Sequence, residues 1–244
     1  MRPRPLGESS AEESTGPRGL LRTVYPDGRR PVRRAGGHFA CHRGQVSDGP
    51  RFPGPDPVRL SGHGLVLREW RADDVPRMSE LFDEPQVRRW TPLASPFDLA
   101  AATAYVERAD QRRRDGSALQ LAITEGDDVP LGEVLLFVHP ELAEVGWGLG
   151  AAHRGRRVAS RAVRVLLAWA VPTWGIQLFR ALIEPGNTAS ERVATACGFT
   201  LTRGAPVLVE SRGRPVGLTA WCLAAADVPL GDRVSVSGEA AGSG

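Results

Sequence analysis

The sequence predicts an α/β domain of the α+β type: a mixed, largely antiparallel sheet of about seven strands flanked by four helices. Three observations lead there. Short runs of alternating or continuous apolar residues are separated by turn-rich punctuation. Four stretches carry apolar residues at helical spacing. The two kinds follow the order β-α-α-β-β-β-α-β-α-β-β, in which three successive strands are joined by short turns. An apolar fraction of 41% over 244 residues supports one sizeable core. The longest apolar run, Val165–Val171, is far short of the ~18 residues that span a bilayer.

Composition divides the chain into an extension (1–57), a domain (58–226) and a polar C-terminal tail (227–244). Pro, Gly, Arg and Ser dominate residues 1–57 without any apolar period, so this segment is expected to be disordered. Its "HFACH" motif (His38, Cys41, His42) lacks a fourth ligand at usable spacing, and no metal site is expected. The N-terminus lacks an apolar signal-peptide core. Three widely spaced cysteines suit a reducing compartment, and a cytoplasmic protein is expected. All 31 basic side chains are Arg and the net charge is only +3. That balance reads as compositional bias before it reads as nucleic-acid binding.

Within the domain, "GLVLREW" (64–70) alternates as a strand. "ADDVPRMSELF" reads as a helix with Asp73 or Asp74 as N-cap and Met78, Leu81 and Phe82 on its buried face. In "SPFDLAAATAYVERADQRRR", Ser95 is the expected cap and Pro96 the first helical residue. Leu99, Ala102, Val106 and Ala109 form its predicted stripe. Strands follow at 118–124, 131–139 and 143–149. A long helix then runs to about Val171, with Pro172 as its stop. A strand at 176–184 precedes a short helix at about 188–197, ended by Gly198. Strands at 207–211 and 216–224 flank "RGRP" as a hairpin.

The most informative stretch is "AAHRGRRVASRAVRVLLAWA" (151–170). Five arginines crowd the front of a helix whose N-terminus is already positive by its dipole. A strand ending in "VGWGL" reaches that helix through a short loop, a junction that presents backbone N–H groups to phosphate oxygens. Gly155 permits close approach, Ala159 is small, and Arg154 and Arg157 can add charge-assisted bonds. A phosphorylated ligand, most plausibly a pyrophosphate, is the expectation.

Three blocks, "GLVLREWRADDVPRMSELFDEPQVRRW", "EVGWGLGAAHRGRRVASRAV" and "IEPGNTASERVATACGF", together resemble the GNAT superfamily of acetyl-CoA-dependent N-acetyltransferases, in its RimJ/RimL-like branch. The resemblance spans about Val58 to Ala226 and implies acetyl-CoA as cosubstrate. The family's pyrophosphate loop, Gln/Arg-x-x-Gly-x-Gly/Ala, corresponds to Arg154, Gly155, Arg156, Arg157, Val158 and Ala159, followed by Ser160, with Arg157 where the central Gly belongs. Helical backbone at Arg157, φ < 0, is expected to accommodate that exchange. The resemblance also implies a splayed strand at Trp147, Gly148 and Leu149. A backbone N–H of Gly148 or Leu149 would then polarise the thioester carbonyl. The two glycines around Trp147 suggest a bulge there.

The Tyr that many family members place seven residues after Asn187 is Ala194 here. The branch resemblance points instead to Ser190 as proton donor or hydrogen-bond partner of the departing thiolate, and to Asn187 as a contact of the pantetheine arm. Capping of the helix that it begins is the competing role for Ser190. Glu144, on the strand face of Gly146 and Gly148, is the first choice of general base, ahead of Glu133 and His139.

Lysine, with a pKa near 10.4, carries a deprotonation handicap of about 4 kcal/mol near pH 7.5, whereas an α-amine near 7.8 carries well under about 1 kcal/mol. The expected acceptor is therefore an α-amino group of a peptide or protein, or a small amine. Its groove would form from the first two helices and the last hairpin, with Asp83, Glu84 and Glu141 as candidate attractors of a cation. Two other readings stay open: a catalytically degenerate coenzyme-A-binding or interaction module, and a fold carrying an Arg-rich nucleic-acid arm around "RRPVRR" (29–34). A homodimer is compatible with either reading or with the enzyme.

Overall fold

The computed structural model describes residues 57–211, 214–229 and 234–236. The "HFACH" and "RRPVRR" stretches and nearly all of the extension expected to be disordered lie outside them, as do Arg212 and Gly213 of the hairpin turn.

The chain opens on β1 (Arg59–Gly62) and β2 (Leu65–Glu69). His63 and Gly64 join them with φ of 50° and 70°, the all-positive pattern of a two-residue type I′ turn. Three helices follow, α1 (Val75–Phe82), α2 (Pro85–Trp90) and α3 (Leu99–Asp115). Then come β3 (Ala118–Thr124), β4 (Pro130–Val138), β5 (Ala143–Leu149), α4 (Val158–Trp174), β6 (Leu178–Ile183) and α5 (Thr188–Ala196). The remaining strands are β7 (Thr200–Leu201), β8 (Val207–Ser211), β9 (Arg214–Ala224) and β10 (Ser235–Val236). The expected strands and helices are all present, and β1, β7, β10 and α2 are additional to them.

One sheet of ten strands runs β10-β1-β2-β3-β4-β5-β6-β9-β7, with β8 also paired to β9. Every pairing is antiparallel except β5 with β6. α4 packs on one face against β1, β2, β4 and β5. Its Val158, Ala162, Val163, Val165, Leu166 and Trp169 close over Leu67, Leu121, Val134 and Val145. The other face carries α1 and α3, where Met78, Leu81, Phe82, Phe97, Ala102 and Tyr105 form a second core. Trp70, Phe82, Phe97 and Tyr105 pack edge to face in a chain, with centroids 6.3, 6.0 and 6.1 Å apart. This packing fixes where Tyr105 points.

Four local expectations are corrected. Asp98, not Ser95, caps α3, its carboxylate accepting the Ala101 N–H at 2.9 Å. Leu99 is thereby the first helical residue and 57% exposed, while Phe97 and Tyr105 take the buried positions. Pro172 does not stop α4, which runs on to Trp174 and ends at Gly175 with φ 62°. Trp174 packs edge to face on Trp169 at 5.2 Å, and that contact holds the last turn past the proline. Asp74 occupies the α1 N-cap position without capping it, because its carboxylate binds the Arg71 N–H and the Arg68 guanidinium. Finally, Ser235 and Val236 of the expected tail pair with β1 as an edge strand.

Candidate active site

β5 and β6 run parallel but pair only at Ala143–Phe179 and Glu144–Arg180. Beyond those residues β5 stays paired with β4 through Leu149–Gly132, so the sheet opens between β5 and β6 toward their C-terminal ends. A crevice outside the C-terminal ends of parallel strands is where open α/β sheets hold ligands. The expected bulge in β5 is absent, since its register with β4 is unbroken. Loss of a neighbour, rather than an extra residue, frees its backbone.

Strand alternation identifies which groups are freed. The Gly150 N–H donates to the Leu131 carbonyl at 3.0 Å. A Cβ on Gly132 would stand 2.1 Å from the Gly148 carbonyl oxygen. The backbones of Gly148 and Gly150 therefore turn toward β4, and those of Trp147 and Leu149 turn toward the opening. Their side chains pack against the α4-side core. Of Gly148 and Leu149, it is the Leu149 N–H that faces the opening.

Past β5 the loop carries Gly155 at φ 77° and Arg157 at φ 58°. The expectation of helical backbone at Arg157 is corrected: the residue is the N-cap of α4 in the left-handed region. A side chain there costs roughly 1–2 kcal/mol relative to right-handed backbone. A Cβ on Gly155 would meet nothing within 4 Å, so its glycine character serves the positive φ and leaves open space beside it. Among the described residues, no acceptor takes the six successive backbone N–H groups from Gly155 to Ser160. The helices α2, α3 and α5 each have a side-chain cap, supplied by Glu84, Asp98 and Asn187. α4 has none. The unpaired N–H groups and the helix dipole together form an anion cradle.

Four of the five arginines near this helix start are engaged by the protein itself. Arg154, expected to meet phosphate, donates twice to the Leu149 carbonyl (3.1 and 2.9 Å) and pairs with Glu84. Arg156 pairs with Glu125 at 3.1 Å. Arg161 binds Glu125 and the His63 carbonyl, and Arg164 binds the Ala196 carbonyl. The Arg157 guanidinium is exposed and unpaired among the described residues. Val158, Ala159 and Ser160 are buried, and the Ser160 hydroxyl donates to the Arg157 carbonyl at 3.0 Å. Those three residues thus offer backbone rather than side chains.

On the far wall, β6 leads into α5. The Asn187 side-chain carbonyl accepts the Ser190 N–H at 3.2 Å, so Asn187 caps the helix with one half of its amide and keeps its NH2 group. Ser190 is relieved of the capping role, and its half-buried hydroxyl has no partner among the described residues.

Of the candidate bases, Glu144 is held by Arg180 at 2.9 Å, at the root of the opening. That carboxylate is committed to the buried Arg180 guanidinium. Glu133 stands opposite Gly148 in the β4–β5 register and accepts the Tyr105 hydroxyl at 2.8 Å. Burial pushes its carboxyl up to about 7, although Tyr105 and Trp70 pull the other way. The Trp70 indole N–H is buried nearby without completing a hydrogen bond. His139 donates its backbone N–H to Leu142 in the turn before β5.

The sequence reading missed α2, which spans the opening. Glu84 at its N-terminus is tied to Arg154 beyond β5, and Arg89 near its end is tied to Glu184 beyond β6 at 2.8 Å. Arg154 and the N–H groups of Gln86 and Val87 hold the Glu84 carboxyl below its usual range, against the opposing effect of burial. Glu84 is therefore a structural anion, and Asp83 likewise accepts the Phe97 N–H at 3.0 Å. The Glu84-Pro85 pair was the readable signal, with Pro at the first helical position.

A sheet parted beside an uncapped helix, with a buried carboxyl on the bare-glycine face, suits an acyltransferase of the open-sheet kind. The acetyltransferase (GNAT) domain matches residues 64–200, over half of the chain, and the protein belongs to that family of N-acetyltransferases. The chain is similar to the uncharacterized N-acetyltransferase p20 of Bacillus licheniformis, at 24% identity over 139 residues, covering 55% of this chain and 78% of that one. It is 33% identical over 87 residues to the L-2,4-diaminobutyric acid acetyltransferase of Streptomyces avermitilis, covering 34% of this chain and 49% of the relative, about half its length. Among solved structures, Mycobacterium smegmatis RimJ in complex with CoA-disulfide superposes with a TM-score of 0.62 at 20% identity, over 71% of this chain and 88% of that one. That likeness is one of fold. No helix among the described residues is long and apolar enough to cross a membrane.

Proposed function

We propose that the protein transfers an acetyl group from acetyl-CoA to a primary amine, either the α-amino group of a peptide or protein N-terminus or a small amine. The observation that carries this reading is the row of unused N–H groups from Gly155 to Ser160, beside the unpaired Arg157, where β5 and β6 part. These groups suit the diphosphate of the coenzyme: backbone donors at a helix N-terminus and one unpaired cation. Trp147 and Leu149 offer backbone groups to the pantetheine arm, and the NH2 of Asn187 offers another. Bound acetyl-CoA supplies an activated acyl group. In this reading the Leu149 N–H polarises its carbonyl, and the Ser190 hydroxyl protonates or hydrogen-bonds the departing sulfur. The free thiols Cys197 and Cys222 suit a reducing compartment, and the reaction is assigned to the cytoplasm.

The names of the relatives favour an amine acceptor. One acts on a diamino acid, and the residues found here suit a nitrogen that is partly neutral near pH 7.5. The test is calorimetric titration of the full chain with coenzyme A. Thiol release from acetyl-CoA then follows with L-2,4-diaminobutyrate, polyamines and peptides bearing a free α-amine. Saturable binding and acceptor-dependent release are expected. Absence of binding overturns the reading, and binding with no release from any acceptor identifies a degenerate module.

A further inference from the structure

We propose that Glu133 is the general base of this reaction: its carboxylate, held by the Tyr105 hydroxyl and facing the bare backbone of Gly148, takes a proton from the acceptor ammonium. This assignment rests on the acetyl-transfer reading above. Glu133 and Gly148 are directly opposed across β4 and β5. A Cβ on Gly148 would lie 3.9 Å from the Glu133 Cγ and 3.7 Å from the Phe82 ring. The carboxylate therefore stands over the part of β5 that lacks side chains, one residue from the Leu149 N–H. Its Oε2 accepts from Tyr105, and the buried Trp70 indole N–H is the other donor that acts on the carboxylate, without completing a hydrogen bond. One oxygen is thus anchored and the other less firmly held. Only 5% of the residue is exposed, so solvent competes little for that oxygen.

The surrounding groups match the assignment. Tyr105 faces it from α3, Phe82 from α1, and Trp70 from the segment after β2, while Gln120 of β3 and Arg112 of α3 act on Tyr105. Burial raises the Tyr105 hydroxyl well above its usual range, so it stays a hydrogen-bond donor at neutral pH. Burial also leaves Glu133 poised near 7, close to an α-amine near 7.8 and more than about 3 units below a lysine near 10.4. A base matched in this way favours α-amino or other weakly basic amines.

The step balances. One N–H proton passes to Glu133. The nitrogen lone pair forms the nitrogen–carbon bond as the carbon–sulfur bond breaks. A second N–H proton goes to the departing sulfur, and Glu133 returns its proton to water. Ammonium and thioester become amide, thiol and one released proton.

The experiment measures kcat against pH for thiol release, using a tripeptide with a free alanine N-terminus and L-2,4-diaminobutyrate as acceptors. The wild type is expected to lose activity below an apparent pKa near 7. Glu133→Gln should lose about 100- to 10,000-fold in kcat while still binding coenzyme A in calorimetry. Tyr105→Phe removes a donor that stabilises the carboxylate, so its acid limb should move to higher pH. A Glu133→Gln enzyme within threefold of wild type, or an acid limb unmoved in Tyr105→Phe, overturns the assignment. A wild type that fails to bind coenzyme A overturns the acetyl-transfer reading instead. Should Glu133→Gln not fold, the Tyr105→Phe profile decides alone.

Discussion

At the residue scale, the cost of keeping Glu133 buried is itself measurable. Its folded-state carboxyl lies at about 7 against an ordinary 4.5, a rise caused first by burial. A carboxyl raised by folding is neutral in both states at low pH, so the fold carries no penalty there. Stability is then lost as pH climbs from about 4.5 through 7. At roughly 1.4 kcal/mol per unit, the loss is on the order of 3 kcal/mol. Glu133→Gln, which cannot ionise, should therefore be about 2–3 kcal/mol more stable than wild type at pH 8 in urea unfolding. The two should converge near pH 4.5. A gap independent of pH would contradict a buried, titrating Glu133. In the sequence this residue is only one glutamate among strand residues. Its environment depends on Tyr105, 28 positions away, and no local pattern encodes that contact. The ion-pair partner of Glu144 was hidden for the same reason. The glycine-flanked position of Glu144 was readable, but the Arg180 that neutralises it arrives from 36 residues later, through a parallel pairing.

At the element scale, α4 shows how local rules were read correctly in outline and overruled at the ends. Apolar spacing located the helix, and its dense buried face matches. The unusual feature is the left-handed N-cap, with Arg157 held at φ 58° by the loop and the first turn around it. Backbone sign at one residue is set by where the chain must go next, which is why the sequence suggested φ < 0. Arg157→Gly separates geometry from charge. Glycine removes roughly 1–2 kcal/mol of left-handed strain and adds roughly 0.5–1 kcal/mol of chain entropy to be lost on folding. Net stability should therefore rise by about 0–1.5 kcal/mol. Coenzyme A affinity should fall about tenfold, the loss of one charge-assisted bond of about 1.5 kcal/mol. Calorimetry and thermal unfolding of the same preparation check both halves, and unchanged affinity would remove Arg157 from the site. α2 escaped the sequence reading because six residues with one buried side chain, Val87, carry no period. Its place comes from ion pairs at its two ends, Glu84–Arg154 and Arg89–Glu184, across 70 and 95 positions of chain.

At the scale of the whole molecule, the short turns between β3, β4 and β5 made the antiparallel centre of the sheet readable, because only antiparallel neighbours are joined so tightly. The opening between β5 and β6 was suggested by resemblance and not by local pattern. Strand β6 returns after the α4 crossover and touches β5 at two residue pairs. Two half-sheets are thus joined at Ala143–Phe179 and Glu144–Arg180, through the core beneath α4, and by the Arg89–Glu184 ion pair of α2. A ligand lying in that opening with its diphosphate on the α4 cradle satisfies donors that the free protein leaves to water. The same ligand also bridges β5, the loop and α5. Binding should therefore stabilise the entire domain. At a hundredfold excess over Kd, linkage gives about 2.7 kcal/mol, or roughly 5–10 °C in Tm for a domain of this size. Pantetheine has the arm but no diphosphate. At the same concentration it should shift Tm by only a small fraction of that, because the six N–H groups and Arg157 remain unsatisfied. Scanning calorimetry of the full chain with each ligand distinguishes the contributions. Equal shifts from coenzyme A and pantetheine would mean that the opening binds the arm alone and that the uncapped start of α4 has no anion to hold.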